Sequence, residues 1–284
     1  MDLVPYPQIF NDVNNQKAEV ILYRPTGESG DFEKANFPIG VEGGKTSTCP
    51  TQNLMEAYDM KDGTPFVWNN QSNPYDNRDP RMKYTIVCNE MKWPVDPVEI
   101  WEGGTNGLPL QNATTTGYYL KKYVNNTISF EAGSTVTKKQ HNWVLFRYGE
   151  ILLNYAEAMI NAFHDPNYKD AVYNMSAREA VNQIRGRTNI SLPGFPSDIT
   201  EKDFVKRLKN ELAFEGHRFW DVRRWKELGQ TANIYGVKIT KNNEVISYEK
   251  FLLETRAVTD NMYFYPIPNT ERFKNPNLGQ NPGW

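Results

Sequence analysis

"FEGHRFWDVRRW" spans residues 214–225 and sets two acids, three arginines, a histidine and two tryptophans into twelve positions. A helix through this stretch places Glu211, Glu215, Arg218, Asp221 and Trp225 on one face at three- and four-residue spacing, with acid and base alternating. Leu208, Leu212, Phe219 and Val222 take other parts of the circumference, and Gly216 lets a neighbouring backbone approach, so the helix is expected to be buried nearly all round. A glycosidase reading would pair Glu211 with Glu215, because retaining enzymes hold two carboxylates roughly 5 Å apart. Both side chains leave one helix in the same direction, whereas the chemistry needs acids on opposite sides of a bond. Arg218, one turn beyond Glu215, would also lower a carboxyl pKa that a general acid needs raised. The spacing therefore predicts an ion-pair lattice that fixes helix register, with Trp225 as packing.

Working outward, this third helix should begin at "ITEKDF" (199–204). There Thr200 caps, Asp203 stands at the third helical position and Ile199 staples onto Phe204; the helix should then run to Leu228, with Gly229 ending it. Upstream, Leu145, Tyr148, Leu152, Tyr155 and Met159 form one helical stripe and Phe146, Leu153 and Ile160 a second, predicting a helix from Trp143 to Phe163 between two neighbours. In "NMSAREAVNQIRGR", Ser176 and Glu179 form a capping box ahead of the apolar face of Ala177, Ala180, Val181 and Ile184. This helix pair resembles a tetratricopeptide unit. Downstream, "YGVKITKNNEVISY" (235–248) reads as two short strands around an Asn-Asn turn, and "NMYFYPIP" as a last extended piece.

Residues 1–142 hold short apolar clusters between Pro, Gly and Asn, hence long loops. A short helix is expected at "TQNLMEAYDM" with Leu54, Ala57 and Tyr58 on one face, and strands at "MKYTIVC" (82–88) and "GYYLKKYV" (117–124). The fold class is mainly α with short strands and long loops: a loop-rich part over 1–142, a tetratricopeptide-like helical scaffold over 143–230, and short strands with a tail over 231–284.

The 284 residues carry 32 basic and 34 acidic side chains, a formal charge of −2, which gives no electrostatic case for nucleic acid or an anionic membrane surface. Mean hydropathy is −0.68, no apolar run reaches membrane-spanning length, and "MDLVPYPQIF" lacks the features of a secretory signal, so the chain is expected to be soluble as it stands. Cys49 and Cys88 are too few for a disulfide framework. "GVEGGKTS" (40–47) misses the phosphate-loop pattern because Ile39 stands where the first glycine belongs. "GESG" and "DMKDG" are incomplete as a nucleophile elbow and a calcium loop, and His141, His164 and His217 show no metal-ligand spacing. No cofactor is implied.

Six stretches together resemble the carboxyl-terminal part of the SusD/RagB family of outer-membrane nutrient-binding lipoproteins: "PTQNLMEAYDMKDG", "NPYDNRDPRMKYTI", "RYGEILLNYAEAMINA", "AREAVNQIRGRT", "LKNELAFEGHRFWDVRRW" and "YPIPNTERFKNPNLGQNPGW". The resemblance implies non-catalytic binding of glycans at the cell surface and a TonB-dependent SusC-like transporter as partner. It also implies a lipid anchor and a helical amino-terminal half that are not found in this sequence, which is expected to be a fragment. Peptide binding, or a purely structural role in the transporter complex, are the alternatives.

The resembling motifs belong to the scaffold, so the binding residues come from chemistry. Sugar rings stack on aromatic planes and their hydroxyls seek amides and carboxylates. "VWNNQSNPY" offers Trp68 with Asn69, Asn70 and Gln71, and "KWPVDPVEIWEGGTNG" offers Trp93 and Trp101 with Asp96 and Glu99. The candidate ligand-binding residues are Trp68, Asn69, Asn70, Trp93, Asp96 and Trp101. Tyr75 and Arg78 are expected to be framework.

Overall fold

The computed structural model describes residues 1–10, 18–70, 73–207 and 210–284, so Gln71 and Leu208 lie outside the described residues. Within them the helices are α1 (Asp31–Asn36), α2 (Gln52–Ala57), α3 (Pro80–Thr85), α4 (Tyr148–Phe163), α5 (Ala177–Arg185), α6 (Glu201–Lys206), α7 (Arg218–Arg224) and α8 (Asn269–Lys274). Three antiparallel two-stranded sheets accompany them. β1 (Val20–Ser29) pairs with β4 (Lys139–Arg147), β2 (Ile86–Val87) with β3 (Tyr119–Leu120), and β5 (Asn233–Asn242) with β6 (Val245–Thr255).

The local signals that set helix ends act as expected. Ser176 Oγ accepts from the Glu179 N–H at 3.2 Å while the Glu179 carboxylate accepts from the Ser176 N–H at 2.8 Å, which starts α5. Thr51 caps α2 and Thr200 caps α6. The hairpin β5–β6 closes on Asn242 opposite Val245, with Asn243 and Glu244 at φ 46° and 68°, the left-handed pair that matches strand twist. Its strands run ten and eleven residues, further than the alternation suggested.

Four expectations are corrected. Trp143–Arg147 is strand, not helix, because β1 supplies a pairing partner more than a hundred residues away, with Arg24 opposite Trp143 and Tyr23 opposite Val144. Residues 82–85 of the expected strand belong to α3, since Asp79 accepts from the Arg81 N–H at 2.9 Å and Pro80 presets the first turn. The short helix α2 buries Met55 and, just beyond it, Tyr58, while Ala57 is exposed. The third helix is broken: residues 210–216 form turns, with Phe214 at φ 61° and Gly216 at φ 87°. A Cβ at Gly216 would meet nothing within 4 Å, so the residue serves backbone conformation, not close approach.

Burial divides into three cores. One gathers Phe37, Met55, Tyr58, Met82, Trp93, Tyr118 and others from the loop-rich region with Val237, Ile239 and Tyr248 of the hairpin. Gly117 lets the two meet: a Cβ there would stand 2.4 Å from the Val237 carbonyl oxygen. The second core packs α4 on α5 through Leu152, Ala156, Met159, Ala180 and Ile184, closed by Phe195 and Phe204. The third joins Tyr6, Ile9 and Phe10 to Tyr123, Val144, Ile190 and Leu192. Both cysteines are free thiols, and burial pushes Cys88 up to about 12.

Candidate functional site

Of the charged residues around 214–225, Glu211 and Glu215 turn their side chains into the interior. Arg147, fully buried, donates from Nε to Glu215 Oε2 at 2.7 Å, from Nη1 to Glu19 Oε1 at 2.9 Å and Glu211 Oε1 at 3.0 Å, and from Nη2 to Glu215 Oε1 at 2.9 Å. Arg187 reaches the same Glu19 and Glu211 oxygens at 2.9 and 3.1 Å, and Arg81 reaches Glu211 Oε2 at 3.1 Å. Lys122 Nζ lies 2.7 Å from Glu215 Oε1 and donates to the Tyr6 hydroxyl at 3.0 Å. Burial alone would raise the Glu211 carboxyl; Arg187, Arg147 and Arg81 overcome it and hold it at about 2. Glu215 is held below its ordinary range in the same way, burial being overcome by Arg147 and Lys122. A carboxylate so held keeps no proton to give, so the lattice is cross-bracing among segments distant in sequence. The cations come from α3, the β3 region, β4 and the turn after α5. Arg218 is not among them; it is exposed at the start of α7. Trp225 is half-buried and its Nε1 donates to Glu157 at 2.8 Å.

The expected ligand residues separate into two kinds. Trp93 is 3% exposed and packs edge-on against Phe37 at 5.5 Å, so it supplies core, and its plane is closed to a sugar. Trp68 and Trp101 are half-buried against the same core, while Asn69, Asn70 and Asp96 are exposed. Among the described residues no ring contact joins Trp68, Trp93 and Trp101. The indole N–H of Trp68 donates to Asn70 Oδ1, and its ring stands edge-on to Phe66 at 6.4 Å. Phe66 in turn is backed at 3.7 Å by the guanidinium of Arg78. Arg78 is fixed by the carbonyls of Met55 and Tyr58 at 2.7 Å each and Pro74 at 2.8 Å, which makes it framework supporting the loop. Trp101 has Lys241 Nζ over its ring at 4.3 Å. Its loop docks on the hairpin through the Glu102 N–H to the Ile239 carbonyl at 2.9 Å, above an apolar cavity of about 220 Å³.

A second region was not legible in the sequence. An open cleft of about 820 Å³ lies between α7 and the segment after β6, lined by Trp220, Arg223, Tyr263, Phe264 and Tyr265 among others. Trp220 is 60% exposed and Tyr265 57%, so α7 is not buried all round. Phe219 and Trp220 meet edge-on at 5.0 Å, and Tyr265 lies 6.0 and 6.5 Å from them. The tail clamps the far wall by its backbone. Trp284 Nε1 donates to the carbonyls of Asn261 at 2.9 Å and Phe264 at 3.1 Å, Asn281 to that of Tyr265 at 2.6 Å, and the Gln280 amide brackets Ile267 at 2.7 and 3.0 Å. The aromatic positions of "FWDVRRW" were the available signal, masked by the expectation of an unbroken buried helix.

A profile of the SusD family matches residues 9–284. The chain belongs to the SusD family. SusD-family proteins are non-catalytic carbohydrate-binding proteins. They associate with the outer membrane; among the described residues of this SusD-family chain no helix is long and apolar enough to cross one. A SusD-like protein from Bacteroides fragilis shares the fold with a TM-score of 0.78 at 26% identity, covering 98% of this chain and 57% of its own. A SusD-like carbohydrate binding protein from the same organism gives 0.76 at 24% identity, covering 97% and 57%. SusD-like protein P2 of Formosa agariphila is 29% identical over 157 residues, 54% of this chain and 28% of that protein. The chain thus spans little more than half of the solved relatives.

Proposed function

We propose that the chain is a non-catalytic glycan-binding module that captures oligo- or polysaccharide at the cell surface and passes it to a SusC-like TonB-dependent transporter. The family match over residues 9–284 carries this reading, and the relative named as a carbohydrate binding protein fits it. The ligand side is the loop-rich part, residues 1–142. Trp68 is the stacking residue, oriented by Asn70 and backed through Phe66 by Arg78. Trp101, Asn69 and Asp96 complete the polar and aromatic complement, and Trp93 serves as their anchor in the core. The helical part, residues 143–230, acts as a tetratricopeptide-like scaffold that contacts the transporter, with the hairpin and tail of 231–284 bracing it.

Capture rests on C–H faces stacking on an indole plane and hydroxyls meeting amides. Open sites of this kind gain few contacts after the cost of ordering the ligand, so affinity is expected to be weak. Titration calorimetry against a panel of neutral and acidic oligosaccharides tests the reading. At least one glycan should bind, and Trp68→Ala should weaken it about tenfold, in line with loss of one stacking contact. Flat titrations across the panel together with retention of the protein by a SusC-like transporter would favour a purely structural partner role.

A further inference from the structure

The cleft beside α7 holds an uncompensated cation on an aromatic floor. The Arg223 guanidinium lies 3.6 Å over the Phe219 ring and 5.8 Å from Tyr265, and Nη1 donates to the Phe219 carbonyl at 2.8 Å. Its Nε is buried with no hydrogen-bond partner. Its neighbour Arg224 is neutralised by Glu157 and by Asp221, the latter at 2.8 Å. Among the described residues Arg223 has no carboxylate within ion-pair distance. A planar guanidinium fixed by stacking and by one carbonyl is preorganised for an oxyanion, because little side-chain freedom remains to be lost on binding.

Around it stand the planes a pyranose would use. Trp220 and Tyr265 are both more than half exposed, and the wall that carries Tyr265 is pinned by Trp284, Asn281 and Gln280. Lys226 adds a second cation to the lining, and Asp260 offers an acceptor for hydroxyls. The volume of about 820 Å³ suits a short oligosaccharide, within the roughly 300–1,000 Å³ typical of small-ligand sites. The geometry points to a second saccharide site in this cleft, selective for sugars bearing an oxyanion, either a uronate carboxylate or a sulfate ester. The inference rests on the glycan-binding reading and adds to it a ligand charge and a location away from Trp68.

Titration calorimetry at low and high salt with three probes tests it: an oligogalacturonate, a sulfated carrageenan oligosaccharide and neutral maltoheptaose. One of the two acidic probes should bind more tightly than the neutral one and weaken with salt; which one binds tells carboxylate from sulfate. Arg223→Gln and Trp220→Ala should each weaken that probe about tenfold or more; both cleft variants are checked for native circular dichroism. Acidic probes that bind no better than maltoheptaose, or that bind unchanged to Arg223→Gln, overturn the second site while a bound neutral glycan keeps the first reading intact. Equal affinity for poly-glutamate also overturns it, since charge alone would then suffice.

Discussion

Arg147 concentrates the energetics of the molecule in one side chain. It satisfies oxygens of Glu19, Glu211 and Glu215, from two separate parts of the sequence, while fully buried. Removing it leaves three carboxylates short of counter-charge in a low-dielectric interior, so Arg147→Met should destabilise by about 3–5 kcal/mol, read as a shift of the urea midpoint at constant slope. Acid should act on the same lattice. Glu211 is held at about 2 when folded, below the roughly 4.3 of an unfolded glutamate. Its contribution is therefore complete above about pH 4.3 and lost as pH falls toward 2, on the order of 3 kcal/mol. Urea titrations at pH 7, 4 and 3 should show that fall, and Glu211→Gln should show a weaker one from a lower starting stability. The structural role of these acids was legible from their density beside arginines and tryptophans. Their partners were not, because Arg81, Lys122, Arg147 and Arg187 sit on other elements and no local spacing encodes a contact across 64 or 130 positions.

At the scale of elements, the sequence speaks where the structure depends on near neighbours. The box on α5 is such a case: Ser176→Ala should cost about 1 kcal/mol, measured by thermal or chemical unfolding. The hairpin turn is another. Asn243, at φ 46°, should accept glycine with little change, whereas Asn243→Val should destabilise by about 1 kcal/mol or more because a β-branched side chain resists the left-handed region. Pattern reading failed where a distant partner decides. The residues of β4 carry an apolar stripe that continues into α4, yet β1 claims them for a sheet. The stretch before α7 has helical spacing throughout, yet Phe214 and Gly216 turn the backbone so that Glu211 and Glu215 enter the basic interior. That break also leaves Phe219 and Trp220 at the surface, where an uninterrupted helix would have hidden them.

For the whole molecule, the lattice and three cores hold the loop-rich region, the α4–α5 pair and the hairpin together. The family and its broad fold were readable from six motifs, because those motifs are the scaffold's own cap, turn and lattice residues. The ligand loops were readable only in part. Composition marks Trp68, Trp93 and Trp101 alike, and only packing distinguishes Trp93 as core from its half-buried counterparts. A rigid framework carrying partly exposed aromatic side chains, with Glu211 and Glu215 held ionised among arginines and a lysine, suits capture without chemistry. The central claim is tested most directly by titrating the purified chain with the oligosaccharide panel while assaying each mixture for cleavage products. Saturable binding of at least one glycan is expected, weakened about tenfold by Trp68→Ala, with every sugar recovered intact. Cleavage of a bound glycan, or no binding to any member of the panel, would contradict it.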